Sequence, residues 1–69
     1  MYEFHFVRGD TLIYSTNLEF EKKKRFKREL LKGLANLNLK RDYTANCEAY
    51  SNDEIYLSFR KVGQIRNAR

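Results

Sequence analysis

Residues 16–37 read TNLEFEKKKRFKRELLKGLANL, and the spacing within this stretch decides the architecture. At about 100° of turn per residue, Phe20, Phe26, Leu30, Leu31, Leu34 and Leu37 fall on one arc, with Lys24, Arg25, Arg28, Lys32 and Glu21 opposite. The pattern predicts an amphipathic helix over about 17–36. Thr16 and Glu19 have the spacing of a capping box, in which hydroxyl and carboxylate each satisfy a free backbone N–H. Glu21 and Arg25 make a favourable i,i+4 pair. Asn36 or Asn38 is suited to the left-handed conformation that ends a helix. Lys23 and Lys27 break the pattern, because both fall inside the apolar arc. The expectation is that the first turns overhang the layer below, or that the two lysines snorkel past its edge.

On the N-terminal side the period changes from 3.6 to 2. Tyr2, Phe4 and Phe6 alternate with Glu3, His5 and Val7, and Gly9-Asp10 is a two-residue hairpin signal with Gly leading. A hairpin of strands at about 2–8 and 11–16 pairs Arg8 with Thr11, Val7 with Leu12, Phe6 with Ile13 and His5 with Tyr14. One face then carries Tyr2, Phe4, Phe6 and Ile13, and the other His5, Val7, Leu12 and Tyr14. Both faces look dry, which is unusual for a sheet wetted on one side.

On the C-terminal side, Lys40 to Asp42 reads as a polar connection, followed by a second hairpin at about 43–50 and 54–62. A two-residue loop at Asn52-Asp53 would set Glu48 beside Leu57 and Asn46 beside Phe59. A three-residue loop, Ser51-Asn52-Asp53, pairs Ala49 with Ile55, Cys47 with Leu57 and Ala45 with Phe59. The second register gathers those six on a buried face and leaves Thr44, Asn46, Glu48, Tyr50, Tyr56, Ser58 and Arg60 outside, so it is preferred. The expected fold is α+β: a two-layer ββαββ domain, with an antiparallel sheet of two hairpins on one helix. All 69 residues form a single domain, with a flexible basic tail from about residue 64.

Composition limits the rest. A 69-residue domain has a thin core. A single cysteine, Cys47, allows no internal disulfide, and one Cys with one His excludes a typical four-ligand zinc site. No cofactor motif is present, and no glycine-rich phosphate loop. No apolar run approaches the ~20 residues of a membrane span. A cytoplasmic location is expected, with Cys47 reduced. In the preferred registers Cys47 faces the core and His5 the opposite side of another strand, so no nucleophile–base pair forms and no enzyme is expected. Arg8-Gly9-Asp10 is explained by its turn.

Fourteen Lys and Arg against nine Asp and Glu give a net charge of +5, which favours a polyanionic or acidic partner. Two surfaces are candidates. The helix run Lys22, Lys23, Lys24, Arg25, Lys27 and Arg28 suits phosphates, aided by Arg66 and Arg69 in the tail and by Lys40, Arg41 and Lys61. The sheet face with His5, Val7, Leu12, Tyr14, Tyr50, Tyr56 and Arg60 suits a protein interface, a homodimer seam included, or stacked bases. A small basic nucleic-acid-binding or nucleic-acid-associated protein is therefore the first expectation. The alternative is a protein-binding regulator, inhibitor or accessory subunit that docks on an acidic protein surface.

Overall fold

A computed structural model describes residues 1–62. A five-stranded antiparallel sheet packs against one helix. The elements run β1 (Tyr2–Arg8), β2 (Thr11–Leu18), α1 (Phe20–Gly33), a 3₁₀ turn (Ala35–Leu37), β3 (Lys40–Tyr43), β4 (Cys47–Ser51) and β5 (Ile55–Lys61). The strand order is β2-β1-β5-β4-β3, so the first and last strands lie side by side in the middle of the sheet. The tail from residue 63, with Arg66 and Arg69, lies outside the described residues.

The first hairpin turns as its sequence requires. Gly9 has φ +60°, a conformation that costs a side chain bearing Cβ but not glycine. Arg8 pairs with Thr11 and Val7 with Leu12. The register then slips by one residue: Phe6 pairs with Tyr14 and His5 with Ser15, leaving Ile13 as the extra residue of a β-bulge. The slip moves Tyr14 to the side of Phe4 and Phe6, and the Phe4 and Tyr14 rings lie 6.1 Å apart. The bulge thus resolves the two dry faces by sending one aromatic residue back to the helix side.

β2 also runs further than the capping signal implies. Thr16 and Leu18 pair with Phe4 and Tyr2, so Thr16 belongs to a strand and cannot cap the helix. Glu19 takes the cap position with extended backbone and no side-chain cap hydrogen bond. The ladder wins because it satisfies backbone groups on alternate residues along β1 and half-buries Leu18, whereas a cap satisfies only one or two N–H groups. At the other end α1 stops at Gly33, and Asn38 takes the left-handed conformation (φ +53°) after the 3₁₀ turn.

The second hairpin differs most from expectation. Residues 43–50 are not one strand, because the chain turns at 44–46, where the Thr44 N–H donates to the Cys47 carbonyl at 2.8 Å. That turn makes Lys40–Tyr43 an edge strand. The β4–β5 connection is held by Asn52. Its Oδ1 accepts from the N–H groups of Glu54 (2.7 Å) and Ile55 (2.9 Å), and its own N–H donates to the Ile55 carbonyl at 3.0 Å. This side-chain-mimicked turn sets the pairs Ser51–Tyr56, Tyr50–Leu57, Ala49–Ser58, Glu48–Phe59 and Cys47–Arg60. Tyr50 and Glu48 therefore share the helix side with Leu57 and Phe59. Ala49 and Cys47, expected on the helix side, alternate to the outer face, where Ala49 is still buried and Cys47 half-buried.

The core is small and aromatic. Phe4, Tyr50, Leu57 and Phe59 are fully buried, and Phe6, Leu18, Phe26, Leu30, Leu31, Leu34 and Leu39 pack around them. Phe4 meets Phe26 edge-on at 4.9 Å and Phe59 at 4.8 Å. Burying each such ring is worth roughly 1.5–3 kcal/mol, with aromatic pairing geometry adding about 0.5–1.5 kcal/mol per pair. Phe20 and Leu37, placed by periodicity on the buried arc, lie at the ends of the helical segment and stay largely exposed.

Candidate functional site

The two lysines that break the helix pattern meet a carboxylate. Lys23 stands at the middle of the buried arc and is only 5% exposed. Its Nζ lies 3.4 Å from Glu48 Oε1 and 4.6 Å from the centre of the Tyr2 ring. One turn on, Lys27 Nζ donates to Glu48 Oε1 at 2.8 Å. Helix spacing delivers the cations, since residues i and i+4 share a face, and the β4 register delivers the anion. Burial pushes the Glu48 carboxyl up, but the Lys27 hydrogen bond and the charges of both lysines outweigh it, leaving it below the usual carboxylate value. Lys23 and Lys27 are thus engaged inside the fold, not displayed with the other cations.

What remains on the helix surface is more sharply defined. Lys24, Arg25, Arg28 and Lys32 span an arc of about 100°, Lys22 flanks them, and all five are exposed. Among the described residues none of the five has an acidic group within salt-bridge distance, so the predicted Glu21–Arg25 pair is not made. Lys24 lies over the Phe20 ring, its Nζ 5.2 Å from the centre. From Lys22 to Lys32 the face runs about 15 Å along the axis. Lys40, Arg41 and Lys61 are exposed on the strands. Arg8 is tied to Glu54 at 3.3 Å on the surface.

The sheet face opposite the helix has no covering layer among the described residues. By strand alternation it displays Val7 beside Tyr56, His5 beside Ser58, Glu3 beside Arg60, and Leu12 next to Val7. Of the seven residues expected there, His5, Val7, Leu12, Tyr56 and Arg60 share it. Tyr14 and Tyr50 lie on the helix side, Tyr14 because of the bulge and Tyr50 because of the Asn52 turn. Cys47 takes the outer register, opposite Arg60 and two strands from His5. At about 4.8 Å per strand spacing, that separation is too large for a thiol–imidazole hydrogen bond.

Near the helix C-terminus, the Tyr43 and Tyr50 hydroxyls lie 3.2 Å apart. The hydrogen bond from Tyr50 lowers the Tyr43 pKa against a smaller opposing effect of burial, and Arg41 helps. Burial, then the same hydrogen bond, raises that of Tyr50. Among the described residues, two of the shallow troughs beside the helix are partly apolar. One, of about 210 Å³, is lined by Leu31, Leu34, Leu39, Arg41 and Tyr50 among others. The other, of about 340 Å³, is lined by Leu18, Lys22, Arg25, Phe26 and Glu29.

The Glu48 cluster escaped the sequence reading, yet its signal was present. Two lysines four residues apart on an apolar arc can be accommodated by an acid on the layer they face. Comparison with protein-family models, curated proteins and solved structures finds no match to the chain. No helix among the described residues is long and apolar enough to cross a membrane.

Proposed function

We propose that the chain is a nucleic-acid-binding protein that engages the phosphate backbone through the exposed face of α1. The observation carrying this reading is the set of five exposed cations, Lys22, Lys24, Arg25, Arg28 and Lys32, none of which has an acidic side chain within salt-bridge distance among the described residues. A duplex carries one charge per ~1.7 Å, so a basic face about 15 Å long can span several phosphates. Arg25 and Arg28, one turn apart, can each grip a phosphate with two N–H groups, which lysine cannot. Such binding selects charge and shape more than sequence. It gives the domain a role in contact rather than in catalysis.

The test is fluorescence anisotropy of labelled duplex DNA and of single-stranded RNA over a salt series. For about four neutralised phosphates on the duplex, log affinity should fall with log salt with a slope near −3.6. Arg25→Ala and Arg28→Ala should each reduce the slope by about 0.9. Lys23→Met should leave the slope unchanged, because Lys23 is buried against Glu48. No measurable affinity at low salt for either nucleic acid would reject the proposal.

A protein-binding role is supported by a different observation. Tyr56 and Leu12 stay about half exposed on a sheet face over which no described residue forms a layer, beside Val7, His5 and Arg60. A regulator or accessory subunit working through this face would keep its partner after nuclease treatment and lose it in Tyr56→Ser/Arg60→Ala, with the fold intact.

A further inference from the structure

We propose that β2 is the seam of a homodimer, in which two copies pair their β2 strands antiparallel about Thr16 into one continuous sheet. The inference does not depend on what the helix binds.

The two edges of the sheet differ in kind. The β3 edge is four residues long and reads KRDY, three charges in four positions. Short length and charge are how sheet edges avoid pairing with other chains. The β2 edge is eight residues long and reads TLIYSTNL, with no charge and no proline, in a chain that is 33% charged. Its outward N–H and C=O groups have no strand beside them among the described residues. Its one safeguard is the bulge at Ile13, which disturbs the first half of the strand and leaves Tyr14–Leu18 in regular register.

That regular segment is self-complementary. A two-fold axis at Thr16 sets Tyr14 against Leu18 of the second copy and Thr16 against Thr16 on the helix side, with Ser15 against Asn17 on the other. Aromatic–aliphatic and Thr–Thr pairs are favourable cross-strand neighbours. The surroundings fit the same occupant. Leu12, Ile13 and Tyr14 are about half exposed. The 340 Å³ trough is lined by Leu18 at the end of β2 and by Phe26 of α1, and the register sets Tyr14 of the second copy against that same Leu18. The rim of the trough carries Lys22 and Arg25 at one end and Glu29 at the other. A two-fold axis normal to the sheet runs the helices antiparallel, bringing Glu29 of each copy toward the two cations of the other. A second copy therefore supplies both the uncharged strand and the opposite order of charges. The net charge of +5 opposes association, and salt screens that repulsion over about 8 Å at physiological strength.

Sedimentation equilibrium from micromolar to millimolar protein should show a species of twice 8.3 kDa, more populated as salt rises. Binding of nucleic acid has the opposite salt dependence, so failure of one reading is distinguishable from failure of the other. Ser15→Lys/Asn17→Lys places like charges at exposed positions of the seam and should weaken dimerisation at least about tenfold, with an unchanged melting curve at concentrations where both chains are monomeric. In a Cys47→Ser background, Thr16→Cys should form a disulfide-linked dimer under mild oxidant, while Tyr56→Cys, on the open sheet face, should not. A wild-type chain that stays monomeric at millimolar concentration overturns the proposal. So does undiminished association of the double-lysine variant, or cross-linking through position 56 instead of 16.

Discussion

Replacing Glu48 with glutamine tests whether the helix lysines belong to the fold. The substitution keeps the shape and removes the charge, leaving the Lys23 ammonium, whose side chain is 7% exposed, facing only the Tyr2 ring and a neutral amide. Removing one partner of a fully buried pair costs about 3–5 kcal/mol, most of it the desolvation of the abandoned charge. Glu48 is 28% exposed and Lys27 24%, so water softens the loss, and a cost of about 2–3 kcal/mol is expected. With a urea m-value near 1 kcal/mol/M for so small a chain, the midpoint should fall by about 2–3 M. Thermal melting should drop by roughly 10–20 °C. The double substitution Lys23→Met/Glu48→Leu should recover much of that loss, because a hydrophobic pair of similar volume has no desolvation to repay.

The pH dependence has a fixed sign. A carboxyl whose pKa is depressed by folding adds stability that is complete above its unfolded value and lost as pH falls through the folded one. Glu48 is depressed below 4.5. The wild-type urea midpoint should therefore decline as pH falls below about 4.5, and Glu48→Gln should lack that part of the decline. If Glu48→Gln costs less than about 0.5 kcal/mol, the level of an ordinary surface pair, the lysines are not held by burial and return to the pool of binding cations.

Three further outcomes follow from the geometry. Gly9→Ala should cost about 1–2 kcal/mol in urea unfolding, although nothing would touch the new Cβ, because φ +60° is strained for alanine; Gly9→Asn should cost less. Asn52→Ala removes the acceptor of two backbone N–H groups and should cost about 1–2 kcal/mol, with hydrogen exchange at Glu54 and Ile55 accelerated. In a spectrophotometric phenol titration, Tyr43 should ionise before an ordinary tyrosine and Tyr50 after one. Tyr50→Phe should return Tyr43 toward 10.0, and an unmoved first step in that variant would show that the hydroxyl contact does not set it.

The layers were legible from periodicity, because the shift between 2 and 3.6 needs no knowledge of what packs where. Face assignment was not. In 45–50 the small residues Ala45, Cys47 and Ala49 alternate with Asn46, Glu48 and Tyr50, and hydropathy alone puts the small set inside. The register reverses this because Asn52 fixes the turn and because Tyr50 fills the space under the helix that alanines would leave empty. β3 was hidden for a related reason: Lys40, Arg41 and Asp42 carry no apolar alternation, since an edge strand with neither face deeply buried has none to show.

A further signal for the inward face of the second hairpin lay in the helix. Lys23 and Lys27 were expected to overhang or snorkel and to meet phosphates with the rest of the run, and Glu48 was expected to face outward. Placed opposite each other, they are a single structural feature that also selects which face of β4 turns inward. Once they are removed from the surface, the other α1 cations lie outside the core, with Glu21 and Glu29 on the same exposed side of the helix, so the binding proposed for them would not compete with folding. The other anomaly, a first hairpin with two dry faces, does not cancel in the same way. The bulge moves Tyr14 to the helix side but leaves Leu12, Ile13 and Tyr14 about half exposed on an uncharged edge. A lysine anywhere in Tyr14–Leu18 would have guarded that edge at little cost in a chain already rich in lysine, and its absence there is what makes β2 the surface to test first for a second copy.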